Sequence, residues 1–203
     1  MIVIVDYKTG NVGSLMNMLK KIGINSIVSS DPKEIESADK IIFPGVGAFD
    51  NGMNNLLASG LIPLLEKKVK NQSTPILGVC LGMQLLAKGS EEGVIPGLGW
   101  MDGFVKKFHF EDENLKIPHM GWNTIDIKKV DPIFNEMLKE ARFYFVHSYH
   151  FVCDEKEKVL ATTNYGYDFD SIIRKDNIWG VQFHPEKSHK FGMQLLKNFA
   201  TAC

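Results

Sequence analysis

The first ninety residues alternate short, wholly apolar runs with longer amphipathic ones, and this alternation constrains the fold more than any other feature. IVIV (2–5) is followed by VGSLMNMLKKIG (12–23), NSIVSS (25–30), KIIFPG (40–45), LLASGLIPLLEKKVK (56–70), PILGV (75–79) and LGMQLLAKG (81–89). Strands alternating with helices imply a parallel sheet covered on both faces. Runs without polar alternation, such as IVIV, IIF and ILGV, are what central strands buried on both sides require. In the first helix Val12, Leu15, Met16, Leu19 and Ile22 are expected to form one stripe against the sheet, with Lys20 and Lys21 opposite.

From about residue 100 the pattern becomes short β-branched and aromatic runs between turn signals: GFVKKFHF (103–110), WNTIDI (122–127), RFYFVHSYHFV (142–152), VLATTNY (159–165), SIIRK (171–175) and IWGVQF (178–183). These read as antiparallel strands added to, or packed beside, the parallel core. FGMQLLKNFA (191–200) reads as a closing helix. With no repeat, low-complexity tract or linker, residues 1–203 form one α/β domain, a length that buries about 70% of the unfolded surface.

The opening MIVIVDYKTGN has an apolar run of four residues, no basic lead-in and an acid at position 6, so it reads as a buried strand and not a signal peptide. No stretch approaches the roughly 18 apolar residues of a membrane span, and a cytoplasmic protein is expected. A net charge of -1 with 23% charged residues gives no bias toward nucleic acid or anionic membrane. Three cysteines, Cys80, Cys153 and Cys203, lack CxxC spacing, which argues against a disulfide framework and a structural zinc site. At least one thiol is therefore free.

Cys80 is the candidate for a reactive one. Gly78-Val79-Cys80-Leu81-Gly82 joins a strand to a helix, the arrangement of a nucleophile elbow. Taken alone it also fits a small core residue at a tight turn, but a buried structural cysteine gains nothing from flanking glycines. At a helix N-terminus the dipole favours thiolate, and the Leu81 N–H points toward an oxyanion formed by attack on a carbonyl. Such a nucleophile needs an imidazole and a group to hold it. His184 follows IWGVQF directly, at a strand end, and Glu186 lies two residues on, across Pro185. Pro44-Gly45-Val46-Gly47-Ala48-Phe49 follows KIIF, where two glycines around one valine allow a main-chain N–H to turn into a pocket; in isolation the segment also reads as a glycine-rich turn. His147 and His150 are expected on opposite sides of an extended segment, with no ligand set completed, and His109 and His189 on the surface. No metal and no cofactor are expected.

The sequence resembles the class I (triad) glutamine amidotransferases, with a flavodoxin-like fold, through DYxxGN (6–11), FPGVGAF (43–49), GVCLGMQ (78–84), PHMGWN (118–123), YFVHSY (144–149) and GVQFHPEKS (180–188). Within that class it is most similar to the glutaminase subunits that serve imidazole glycerol phosphate synthase. The resemblance implies that Cys80 attacks the amide of L-glutamine to form a γ-glutamyl thioester, with His184 shuttling protons and Glu186 orienting it. It implies that Gln84, Ser148 and Tyr149 bind the substrate, and that the Gly45-Val46 peptide is a mobile oxyanion strand beside Gly47 and Leu81. Tyr144 and Lys187 match positions at a subunit interface near the ammonia passage. The implied partner is a synthase chain, a (β/α)8 barrel of histidine biosynthesis, in a heterodimer. The EKSHKFGMQLLKNFA and GFVKKF segments look more like a branch in which the same chemistry supplies a sugar amidotransferase of surface-polysaccharide biosynthesis, so the acceptor stays open. A cysteine hydrolase or chaperone-like protein on a similar sheet is the alternative of another class, and it would not combine Gln84, HPE and PGVG. One departure stands out: Lys8 occupies the place of the first glycine in the usual DYGxGN loop.

Overall fold

A computed structural model describes residues 1–111 and 114–203. In chain order the elements are β1 (Ile2–Val5), α1 (Val12–Lys21), β2 (Ser26–Ser29), α2 (Pro32–Glu36), β3 (Lys40–Gly45), α3 (Phe49–Ser59), α4 (Ile62–Glu66), β4 (Ile76–Cys80) and α5 (Leu81–Leu85). Then come β5 (Gly103–Lys107), β6 (His119–Thr124), β7 (Asp126–Ile127), β8 (Arg142–His147), β9 (Tyr149–Cys153), β10 (Val159–Tyr165), β11 (Tyr167–Lys175), β12 (Ile178–Val181) and α6 (His189–Ala202). Among the described residues no helix is long and apolar enough to cross a membrane.

Eight strands form the main sheet in the order β2-β1-β3-β4-β12-β11-β10-β7. The first five are mutually parallel, and the last three add antiparallel pairings. The mostly parallel sheet with added antiparallel strands is the architecture the sequence implied. IWGVQF departs from expectation: β12 is parallel to β4 and central, and antiparallel only to β11. Its apolar residues Ile178, Trp179 and Val181 are all buried, as a strand covered on both faces requires. β5 pairs with β9 and β6 with β8 in two small separate sheets.

Alternation along each central strand divides the core in two. Val3, Val5, Ile41, Phe43 and Ile76 face the side covered by α3, α4 and α5. Ile2, Ile4, Ile42, Leu77 and Val79 face the side covered by α1 and α6. In α6, Leu195, Leu196 and Phe199 are fully buried, each contributing roughly 1.5–3 kcal/mol by leaving water. In α1 the stripe is Leu15 and Leu19, with Val12, Met18 and Ile22 packed at its margins. Met16 was expected inside but is 38% exposed; one residue past Leu15 it lies about 100° round the helix, whereas Met18, three past, returns to the apolar face. LLASGLIPLLEKKVK is broken: α3 ends at Gly60 in the left-handed region, φ 68°, a conformation glycine adopts without strain.

Candidate active site

The site is built where β3, β4 and β12 end together at the carboxyl edge of the parallel sheet, the edge at which such sheets gather ligands. Gly45 lies beside Cys80, and Val181 beside Val79. Cys80 therefore has the β3 loop on one side and the chain leading to His184 on the other.

Close packing dictates the turn at Cys80. A Cβ on Gly82 would stand 1.9 Å from the Phe43 carbonyl oxygen, and one on Gly78 2.9 Å from the Met83 backbone. Without side chains there, α5 lies directly on β3 and β4, and the reversal falls on residue 80. Cys80 takes φ 53°, ψ -110°, a region in which a side chain costs on the order of 1–3 kcal/mol. The reversal holds the thiol at the helix start, where the first N–H groups, Leu81 among them, have no intrahelical acceptor.

His184 is held from both sides. Its N–H donates to the Tyr144 carbonyl (2.9 Å). The Ser188 hydroxyl donates to its carbonyl (2.6 Å) and accepts from the Tyr144 N–H (3.0 Å). Pro185–Lys187 forms one 3-10 turn, which brings Glu186 back so that His184 Nδ1 lies 2.8 Å from its Oε1, both side chains 2% exposed. With Nδ1 committed, Nε2 is left for the thiol. Burial disfavours a charged imidazole, but the hydrogen bonds to the Cys80 sulfur and to Glu186, with the negative charge of both, outweigh it and raise His184 to about 10. That environment favours the imidazolium form of His184 beside the Cys80 sulfur.

The cleft has a volume of about 530 Å³. Val46, Gly47, Cys80, Leu81, Gln84, Ser148, Tyr149, His184 and Lys187, all singled out from sequence, line it. Gly45 lies beneath, its Cβ position 2.8 Å from the Gly82 nitrogen. Glu186 stands behind His184, and the Tyr144 ring lies under the Lys187 ammonium at 5.6 Å. Gln84 reaches the cleft, but its Nε2 donates to the Tyr149 carbonyl (2.9 Å) and to Gln182 Oε1 (3.1 Å), so Oε1 is the atom left for a substrate.

Sequence reasoning missed several wall residues, among them Asn11, Glu92 and His147. Glu92 accepts from the Phe49 N–H (2.9 Å), and burial raises its pKa. Nothing in SEEG marks it, because only the tertiary fold brings that loop to the cleft. Gln182, fully buried, was also missed; its Nε2 stands 3.9 Å from the Cys80 sulfur. The expectation for His147 and His150 is corrected. RFYFVHSYHFV breaks at Ser148 into β8 and β9, and both rings pack on Phe108, at 5.2 and 4.6 Å. His109 and His189 are exposed as expected. Lys8 keeps the backbone a glycine would supply, φ 65°, its N–H donating to Asp6 Oδ1 (2.9 Å).

The sequence model of the family Glutamine amidotransferase class-I matches residues 3–203. The chain is 52% identical over 199 residues to imidazole glycerol phosphate synthase subunit HisH 2 of Methanococcus maripaludis, covering 98% of each chain. It is 49% identical to the subunit of the same name in Pseudomonas aeruginosa, again with 98% of both covered. Among solved structures it resembles a glutamine amidotransferase, with TM-score 0.74, 20% identity and coverage of 98% and 97%. It also resembles PurLQS from Thermotoga maritima, with TM-score 0.71, 18% identity and coverage of 98% and 96%. At those identities the solved structures speak to the fold.

Proposed function

The chain belongs to the class-I glutamine amidotransferases, and on that premise we propose that it is the glutaminase subunit of an imidazole glycerol phosphate synthase. In this reading it releases ammonia from L-glutamine for a separate synthase subunit of histidine biosynthesis. The observation that carries the reading is the strained Cys80 at the cleft floor, beside an imidazole whose other nitrogen is fixed by Glu186.

The Cys80 thiolate adds to the side-chain amide carbon of glutamine, and the carbonyl electrons move onto oxygen. The Leu81 N–H, joined by the Gly45-Val46 peptide when it turns inward, receives that oxyanion. His184 Nε2 then gives its proton to the amide nitrogen, the C–N bond breaks, and ammonia leaves a γ-glutamyl thioester. Neutral His184 takes a proton from water as the water adds. The C–S bond breaks, thiolate and imidazolium are restored, and glutamate departs after its new carboxyl group loses a proton to solvent. Glu92, Ser148 and Tyr149 surround the position of the α-ammonium and α-carboxylate, and Gln84 Oε1 completes the pocket.

The partner is a (β/α)8-barrel synthase in a heterodimer, seated over the cleft mouth where Lys187 and Val46 are exposed. The complex purified from the native cell is expected to convert glutamine to glutamate, and Cys80→Ala to reduce that conversion at least a thousandfold. Unchanged glutamate release in the variant would sink the triad. A barrel synthase is the expected co-purifying chain; recovery of a sugar amidotransferase in its place would assign the ammonia to surface-polysaccharide synthesis.

A further inference from the structure

The proposed chemistry leaves three buried histidines unused, His119, His147 and His150, and the hydrogen bonds of the first two form a chain with a fixed direction. His147 Nδ1 lies 2.8 Å from the Tyr149 carbonyl; a carbonyl only accepts, so Nδ1 carries the hydrogen. Burial holds the His147 pKa well below its ordinary value, so the ring is neutral and Nε2 accepts. Facing that nitrogen at 3.3 Å is His119 Nδ1, which must therefore donate. Burial lowers His119 to about 4, so its Nε2 accepts in turn, from Asn123 Nδ2 at 3.3 Å. The orientation of Asn123 is fixed independently: Nδ2 also donates to the Asn164 carbonyl (2.8 Å), and Oδ1 accepts from the Thr124 N–H (2.8 Å). Hydrogen-bond polarity thus runs from Asn123 through His119 and His147 to the Tyr149 carbonyl.

The same carbonyl receives Gln84 Nε2, whose second hydrogen goes to Gln182 Oε1, and Gln182 Nε2 approaches the Cys80 sulfur. His150 stands outside this chain, bonded to the Phe151 carbonyl and the Tyr167 hydroxyl. Two donors from different elements, β8 and α5, converge on one peptide oxygen in the cleft wall. Losing one leaves that oxygen with a single donor and loosens the hold on the carboxamide that shares it.

We propose that His147, locked in the Nδ1–H tautomer by His119 and Asn123, is a positioning residue that fixes the Tyr149 peptide and the Gln84 carboxamide for glutamine binding. The inference rests on the glutaminase reading above. The test uses the native complex, with turnover normalised to the sites labelled by a glutamine-like diazo ketone, and three chains: wild type, His147→Leu and His147→Asn. Asparagine places its Nδ2 where His147 carries Nδ1–H, whereas leucine keeps bulk without a donor. With leucine, KM for glutamine is expected to rise about tenfold, the loss of one orienting hydrogen bond, while kcat per labelled site stays within about twofold. Asparagine is expected to bring KM back to within about threefold of wild type. Wild-type KM in the leucine variant, or equal impairment by leucine and asparagine, would overturn the proposal. A wild-type complex that releases no glutamate would instead sink the glutaminase reading itself.

Discussion

Cys80 combines the proposed nucleophile and the local strain in one residue. Its φ of 53° with ψ of -110° suits glycine, and a thiol there is held against conformational preference. The close approach of α5 to Phe43 through Gly82 imposes that backbone whatever side chain sits at 80. Comparing two variants that both lack the thiol isolates the strain: Cys80→Gly is expected to exceed Cys80→Ala in unfolding free energy by about 1–2 kcal/mol. Urea denaturation of both proteins checks this, and equal midpoints would show a turn that relaxes once the sulfur is gone. The glycines around Cys80 were legible from spacing alone. The cleft-wall Glu92 and the buried Gln182 beside the sulfur were not, since residue type alone does not distinguish either from an ordinary polar residue.

At the scale of elements, a break in each long run decided what sequence periodicity left undetermined. Ser148 separates β8 from β9, so His147 and His150 do not obey the two-residue alternation of one strand and turn to the same aromatic cluster. β6 does alternate: His119 is buried while Met120 and Trp122 are exposed. That burial has a consequence for acid stability. His119 titrates near 6.5 when unfolded and at about 4 when folded, so the unfolded chain takes its proton first as pH falls. Its contribution to stability is complete above pH 6.5 and is lost between about pH 6.5 and 4, on the order of 3 kcal/mol in all. Stability measured by urea across that interval is expected to fall less steeply in His119→Gln; parallel slopes would mean that another group governs acid unfolding.

At the scale of the whole molecule, the surface beside the cleft mouth is unusually apolar and aromatic. Pro118 lines the cleft and leads into β6, whose Met120 is 62% and Trp122 43% exposed. Trp122 stacks on His189 at 5.4 Å and meets Tyr144 edge-on at 6.1 Å, next to the Lys187–Tyr144 contact. An exposed patch of this kind suits a protein interface, and Trp is the residue type most enriched among interface residues that dominate binding. Trp122→Ala is expected to weaken association with the synthase partner at least tenfold. Lys187→Ala is expected to lower partner-stimulated turnover more than basal turnover. Association by calorimetry and glutamate release with and without the partner check both; equal losses in the two activities would place Lys187 in the active site alone. What the sequence by itself determined was the parallel α/β core and the choice of Cys80, His184 and Glu186 as candidates, which the structure brings together. Wholly apolar runs allow only a doubly covered sheet, and glycines at fixed offsets from a cysteine record close backbone approach. Only the tertiary structure decided that β12 lies parallel to β4 and that Met18, not Met16, faces the core. It alone set Gln182 and Glu92 at the site and joined His119 to His147 across two strands. Strand neighbours and cleft walls arise from contacts between segments far apart in the chain, and local pattern carries no record of those.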